Sequence, residues 1–200
     1  MPDFTREEIE ATVKASQIFR RANLSGIDLH GTNLRGANLY EADLNKANLN
    51  GADLSQALLR GANLRGAILR GGALCSANLS GADLSEAILN GVDLSEARLY
   101  HAILHKAKLS EANLRRTQLS GADLSRSILH MSYLFEANMQ NTNLANAQLI
   151  KANLRAANLT GADLREANLQ GADLREASYN SDTKFPDDFD PDKEEMVLKK

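Results

Sequence analysis

Leucine recurs at every fifth position from Leu24 to Leu174, interrupted once by Met139, and Phe19 and Tyr179 extend the phase by one step. In an α-helix, a five-residue spacing would turn successive leucines by about 140° around the axis, so no apolar face would form. In a continuous strand, an odd spacing would send successive leucines to opposite faces. The pattern therefore predicts a β-solenoid, in which the chain turns a corner once per repeat and every leucine points inward.

The other places of the repeat support this prediction. Two residues before the leucine, a second inward place, alanine occupies 23 of 31 positions, which indicates an interior too narrow for two large side chains per repeat. Directly before the leucine, Asn or Asp occupies 20 of 31 positions, which is typical of side chains that bond to a nearby turn. Twelve of the 13 glycines lie two residues after a leucine, so we expect either a corner with positive φ or a close approach of two backbone segments there.

The repeat resembles the A(D/N)LXX motif of the pentapeptide-repeat proteins. It reads ANLRG at 62–66, ADLSE at 82–86, ANLTG at 157–161 and ADLRE at 162–166, and the resemblance covers residues 19–179. It implies an all-β solenoid, a right-handed quadrilateral parallel β-helix with four repeats per coil and about eight coils. Neither the handedness nor the number of sides follows from the spacing alone. The tail after residue 179 also resembles the tails of cyanobacterial members.

The front flank predicts an N-terminal cap, because the raw end of a solenoid needs protection. Thr5 and Glu8 have the spacing of a capping box, and Phe4 and Ile9 have that of a hydrophobic staple. We therefore expect an α-helix from about Arg6 to Gln17, within an N-terminal cap of residues 1–18.

The back flank, residues 180–200, predicts an acidic C-terminal cap or tail with a short final helix from Pro191 to Leu198, capped by Asp190. Five of the nine aromatic residues lie at or beyond the ends of the array, where we expect them to close the interior. They are Phe4, Phe19, Tyr179, Phe185 and Phe189.

The balance of charged residues indicates which classes of partner the rod could bind. Residues 19–179 carry 17 Lys and Arg against 15 Asp and Glu, so we expect no direct binding of nucleic acid. The resemblance adds the alternative of a DNA mimic acting on a topoisomerase such as gyrase. Four aspartates share one side of the coil, Asp43, Asp83, Asp123 and Asp163. That side also carries Arg65, Lys106, Arg126 and Arg165, so its charge is mixed, unlike a phosphate backbone.

Catalysis needs a concave site with converging groups, which a convex rod filled by leucine and alanine does not offer. His101 and His105 straddle one corner, but His30 and His130 fall on another side, so we expect no metal site. We predict no enzyme activity and no cofactor. No stretch approaches 18 apolar residues, and the charged N-terminus does not resemble a secretory signal, so we expect a cytoplasmic protein that does not bind membranes.

Outward residues that the repeat does not require are the candidates for function. With 20 residues per coil, several apolar residues fall on one side or just around its corner. They are Ile68, Ile88, Ile128, Met131, Tyr133, Phe135 and Ile150. They form either an apolar contact patch or a ladder of residues that stack well on a sheet surface. A stripe of arginines shares the side of Phe135, namely Arg35, Arg115, Arg155 and Arg175.

These patterns together favour a non-catalytic protein-interaction rod, with an unknown protein as partner. We expect a monomer or an end-to-end dimer.

Overall fold

The structure is a computed structural model that describes residues 2–14, 19–187 and 189–199. Its helices and strands are α1 (Arg6–Lys14), β1 (Ser178–Tyr179) and β2 (Val197–Leu198), and β2 pairs in parallel with β1. Residues 19–177 form turns and single-residue β-bridges. No helix in the described part of the chain has the length and hydropathy of a membrane-spanning segment.

Parallel bridges join residues 20 positions apart along the whole array, from Asn23↔Asp43 to Asn158↔Ser178. One coil therefore takes four repeats and has four walls, as the family resemblance implies. We number the walls by the residue before their first leucine. On each wall, the residues before the leucines form a column of bridged residues spaced 20 positions apart. The column of wall 1 begins at Asn23, and those of walls 2, 3 and 4 begin at Asp28, Asn33 and Asn38.

Each repeat is bonded to the next coil through its own backbone. In one such pair, the Leu64 N–H donates to the carbonyl of Asp83 at 2.7 Å, and the Asp83 N–H donates to the carbonyl of Ala62 at 3.0 Å. A turn within the repeat adds a bond from the Ala67 N–H to the carbonyl of Leu64 at 3.0 Å. Because these bonds repeat along the array, its backbone polar groups are paired without long strands.

The core is a single column of leucine and alanine. The array leucines from Leu24 to Leu164 are at most 1% exposed. Thr and Ser replace the inward alanine at several places, and there the hydroxyl bonds to a backbone carbonyl. Thr117 Oγ1 donates to the carbonyl of Leu94 at 3.0 Å, and Ser127 Oγ donates to that of Leu124 at 2.7 Å. These polar side chains are therefore buried without an unpaired hydroxyl.

The corner residue, two places after the leucine, has positive φ along the array, which is the first of the two alternatives that the glycines indicated. The 12 glycines at this place have φ between 60° and 70°. Non-glycine residues adopt the same conformation at the other corners, among them Glu41, His101 and Met131. The corner therefore imposes a left-handed conformation on every repeat, whichever residue occupies it, and only glycine adopts it without steric cost.

At the N-terminal end, α1 begins with the expected capping box. The Thr5 N–H donates to Glu8 Oε2 at 2.7 Å, and the Glu8 N–H donates to Thr5 Oγ1 at 3.2 Å. Ile9 is buried, and the Phe4 ring packs edge-on against Phe19 at 5.5 Å between centroids. The described part of the helix is Arg6–Lys14, and the remaining residues of the predicted helix, 15–17, lie outside the described residues.

At the C-terminal end, the predicted helix from Pro191 to Leu198 is wrong. Residues 191–195 form turns, and β2 follows them. The Val197 N–H donates to the carbonyl of Ala177 at 2.8 Å, and the Lys199 N–H donates to that of Tyr179 at 2.7 Å. The open edge of the last coil therefore supplies partners that a short isolated helix could not match.

Aromatic rings close this end of the interior, as expected. Phe185 stacks on Phe189 at 4.8 Å between centroids and meets Tyr179 edge-on at 5.5 Å. All three rings pack against the leucine core.

Replacing Leu94 by alanine should lower the free energy of unfolding by about 2–5 kcal/mol, because a rigid, closely packed column cannot close around the lost methyl groups. Urea denaturation measures the loss. The neighbouring, half-buried Ser95→Ala variant is the control and should change stability by less than about 0.5 kcal/mol. Equal losses in the two variants would contradict the packing described here.

Exchanging glycine and alanine at two corners should change stability in opposite directions. Gly91 has φ +64° with open space where a Cβ would lie, and Ala156 has φ 57°. Gly91→Ala should destabilise the protein by about 1 kcal/mol and Ala156→Gly should stabilise it by a similar amount, because the left-handed penalty outweighs the change in unfolded-state entropy. Thermal unfolding of both variants measures the two signs, and the same sign in both would contradict this explanation.

Candidate protein-interaction surface

The structure places the three isoleucines of the predicted patch in the wall 2 column. Ile68 bridges directly to Ile88, whereas Lys108 separates Ile88 from Ile128. All three isoleucines are half-buried, because the neighbouring coils cover part of each side chain. Ile68 and Ile88 therefore form a short ladder apart from the other predicted residues.

The remaining predicted residues lie together where wall 2 turns into wall 3. Met131 occupies the corner and is 53% exposed, and Tyr133, two residues further on, is 50% exposed. The Met131 N–H donates to the carbonyl of Ile150 at 3.0 Å, so Ile150 lies beside it in the next coil. We call Ile128, Met131, Tyr133, Phe135 and Ile150 the corner cluster.

Phe135 is the less exposed of the two aromatic rings in the corner cluster. The guanidinium of Arg115 lies 5.4 Å from its ring centroid, and the side chain is half-buried. This cation–π contact covers one face of the ring. The exposed apolar surface of the cluster is therefore concentrated at Met131 and Tyr133.

Sequence reasoning missed two exposed apolar residues on other walls. Leu58 on wall 4 is 46% exposed and Ile103 on wall 1 is 42% exposed. Both stand directly before an array leucine, where Asn or Asp is usual. The same departure from Asn or Asp that distinguishes Ile88 therefore marks both residues in the sequence.

The arginine stripe lies on wall 3 and is partly neutralised by neighbouring carboxylates. Arg155 pairs with Glu176 at 2.6 Å, and Arg175 pairs with Asp173 at 2.7 Å. The hydrogen bond from Arg175 lowers the pKa of the Asp173 carboxyl below its ordinary value. A partner that reads this stripe would meet fewer free positive charges than the sequence indicates.

The aspartates of wall 1 are held by their own turns. Asp83 Oδ1 accepts the N–H of Ser85 at 2.8 Å, and Asp123 Oδ1 accepts that of Ser125 at 2.9 Å. Arg165 donates to both carboxylate oxygens of Asp163, and this hydrogen bonding lowers the pKa of Asp163. The column also contains Asn63, Ile103 and Asn143. It is therefore an interrupted row of half-buried carboxylates.

The histidines do not converge. His105 Nδ1 contacts Ser125 Oγ at 2.9 Å, whereas His30 Nδ1 lies 2.9 Å from Asp28 on the first coil. Within residues 2–14, 19–187 and 189–199, no three His, Cys, Asp or Glu side chains are arranged to hold a metal ion. The only cysteine, Cys75, is half-buried with its Sγ 3.2 Å from Ser55 Oγ.

The coil of four five-residue repeats defines a class of β-solenoid. The family model for pentapeptide repeats matches the chain in eight copies, with matched segments 18–56, 37–74, 77–116, 102–141 and 142–178. The chain therefore belongs to the pentapeptide repeat family. Proteins of this family fold as right-handed quadrilateral β-helices, which agrees with the 20-residue coil observed here.

Solved structures of cyanobacterial members resemble this chain. HetL of Nostoc sp. strain PCC 7120, a protein involved in heterocyst differentiation regulation, is 32% identical. That alignment covers 88% of this chain and 84% of HetL with a TM-score of 0.50. Rfr23 of Cyanothece 51142 is 38% identical over 46% of this chain and 63% of its own, with a TM-score of 0.46.

A more distant match is a trypsin-treated variant of QnrB1, a plasmid-mediated fluoroquinolone resistance protein. It is 14% identical over 88% of this chain and 92% of its own, with a TM-score of 0.47. No curated protein matches the chain by sequence.

Proposed function

We propose that this protein is a non-catalytic interaction rod that binds a partner protein through the corner cluster. The observation that carries the proposal is the exposure of Met131 and Tyr133 on adjoining walls, with half-buried Ile128 and Ile150 beside them. Methionine and tyrosine are enriched where proteins meet, because they offer large contact areas with adaptable or amphipathic side chains. The rigid walls would hold this surface in one shape.

Family membership supports the non-catalytic part of the proposal, and the lateral walls support it independently. Their surface is convex, and their carboxylates and guanidiniums pair with each other at short range, as Arg116 and Glu136 do at 2.6 Å. A catalytic site needs several reactive groups that converge on a concave pocket, whereas these pairs are spread along the walls. The likeness to HetL supports a regulatory role of cyanobacterial type. We propose that the protein acts in the cytoplasm.

The division of the chain is part of the same proposal. Residues 1–18 would cap one end, residues 19–179 would form the rod, and residues 180–200 would cap the other end. The burial of Ile9 and the contact between Phe4 and Phe19 support the first cap. The stacked pair Phe185 and Phe189 supports the second.

Replacing Met131 and Tyr133 together by glutamate should abolish partner capture, because two charges would have to be desolvated in an apolar contact. Pulldown with the purified, tagged protein from a cyanobacterial extract, followed by mass spectrometry, measures the capture. The thermal unfolding midpoint should stay within about 2 °C of the parent value, because both side chains are exposed.

The matched control is the double variant Leu58→Glu, Ile103→Glu, which places the same two charges at similarly exposed apolar residues on other walls. It should capture the partner as the parent protein does. If the corner variant captures the partner equally well, or if the control loses it too, the corner cluster is not the binding surface.

The alternative, a DNA mimic that acts on a topoisomerase such as gyrase, predicts a different result. The interrupted, internally bonded aspartates of wall 1 favour the first proposal, because a mimic must present a continuous negative surface. We therefore expect gyrase to supercoil relaxed plasmid at an unchanged rate in a large molar excess of this protein. Inhibition that is lost when Asp83 and Asp123 are replaced by asparagine would establish the alternative instead.

A further inference from the structure

The C-terminal tail pairs as a ninth turn of chain with walls 1 and 4, and it also bonds to the corner where wall 3 turns into wall 4, where Glu195 accepts the N–H of Glu176 at 3.0 Å. On wall 1, Lys184 donates its N–H to the carbonyl of Ala162 at 2.9 Å and accepts the N–H of Leu164 at 2.6 Å. On wall 4, Val197 donates to the carbonyl of Ala177 at 2.8 Å. Between these two points the tail crosses the end of the interior, where Phe185 and Phe189 pack on the core.

The last repeat of wall 2 is therefore an open β-edge. In the coils before it, the groups that correspond to the Ala167 carbonyl, the Leu169 N–H and the Gly171 N–H are bonded to the following coil. At this edge, none of these three groups has a partner among the described residues. Leu169 is also the one array leucine in the described chain that is partly exposed.

A groove runs along this edge. Its larger part, about 560 Å³, is lined by residues 165–169 on one side and by Phe185, Pro186 and Asp187 on the other. A second part of about 320 Å³ continues it past Gln170 and Gly171 towards Phe189 and Glu194. Leu169, Phe185 and Pro186 give the groove apolar surface, and this surface and the open backbone groups are the two features that a sheet edge offers to an added strand.

The rim of the groove is acidic. Glu166, Asp187 and Glu194 line it and have no ion-pair partner among the described residues. Among the described residues of the lining, Arg165 is the one cation, and it is held by Asp163 at 2.6 Å. A segment bound here would therefore gain from positive charge at its ends.

We propose that this groove binds an extended segment of a partner protein, which adds to wall 2 as a parallel strand and carries lysine or arginine beside its apolar residues. The site is separate from the corner cluster. One residue of the segment would donate its N–H to the Ala167 carbonyl and accept the N–H of Leu169. The residue two places later would accept the N–H of Gly171, as the existing coils do.

The repeat itself defines the side chains that such a segment needs. The residue before the bonded one points inward beside an alanine and must be small, and the residue after it points onto Leu169 and suits a leucine. A small–polar–leucine series flanked by basic residues satisfies both requirements. A second copy of this chain is a poorer occupant, because joining two C-terminal ends would bring both acidic rims together.

The probe is a fluorescein-labelled peptide, Lys-Ala-Asn-Leu-Arg-Gly-Lys, and the readout is fluorescence polarisation with the full chain. We expect saturable binding. Methylation of the asparagine backbone nitrogen should weaken binding at least about tenfold, because it removes the N–H that pairs with Ala167. Replacing both lysines by glutamate should weaken it by a similar factor at low salt.

On the protein, Glu166→Lys combined with Asp187→Lys should weaken binding at least about tenfold. The matched control is Glu96→Lys combined with Glu111→Lys, two exposed corner glutamates in the middle of the rod, and it should bind the peptide within about twofold of the parent. The double variant Met131→Glu, Tyr133→Glu should also bind normally, which separates this site from the corner cluster.

Three results would overturn the proposal. The first is no polarisation change at about 1 mM protein, a concentration at which even a Kd of about 1 mM would leave half of the peptide bound. The second is equal binding of the N-methylated and parent peptides, which would mean charge attraction without strand addition. The third is a dimer of the parent protein in light scattering that persists when the peptide is added. If the Glu166→Lys, Asp187→Lys variant is a monomer in the same experiment, the groove binds a second copy of the chain.

Discussion

The walls, the corners and the core of the rod all depend on the hydrogen bonds between successive coils. A bond such as that from Leu64 to Asp83 requires the chain to return to the same wall after 20 residues. The leucine and alanine column makes that return favourable, because an interior this narrow excludes water only when each repeat contributes one large and one small side chain. The left-handed corner residue follows from the same requirement, since the chain must turn sharply once in every five residues.

Elements that depend on residues close in sequence could be predicted, whereas an element that depends on distant contacts could not. The solenoid follows from the leucine period because no helix or flat strand can bury that period on one side. The capping box of Thr5 and Glu8 is also local, and it forms. The C-terminal tail could not be predicted in this way. Asp190 and Pro191 have the local pattern of a helix start, but the partners of β2 lie on the preceding coil, where only the folded rod provides them.

The candidate surface shows a similar limit. The 20-residue coil places Ile68, Ile88 and Ile128 in one column, and the sequence could predict that placement. Exposure depends on the neighbours of each side chain, which the column alone does not define. Ile88 is half-buried between Ile68 and Lys108, whereas Ile103 stands between Asp83 and Asp123, whose side chains bond back to their own turns. Arg115 covers one face of the Phe135 ring, and the column alone does not predict this contact either.

The four-repeat coil also restricts how such a rod can change in evolution. Inserting or deleting one repeat would preserve the leucine phase, so the core would stay intact. Every residue beyond the change would nevertheless move to the next wall, and Ile128 would leave the column of Ile68 and Ile88. Only a change of four repeats keeps all surface columns aligned. The outer surfaces of the rod therefore vary in quarter-turn steps, and a partner that contacts several coils constrains the repeat number more strongly than folding does.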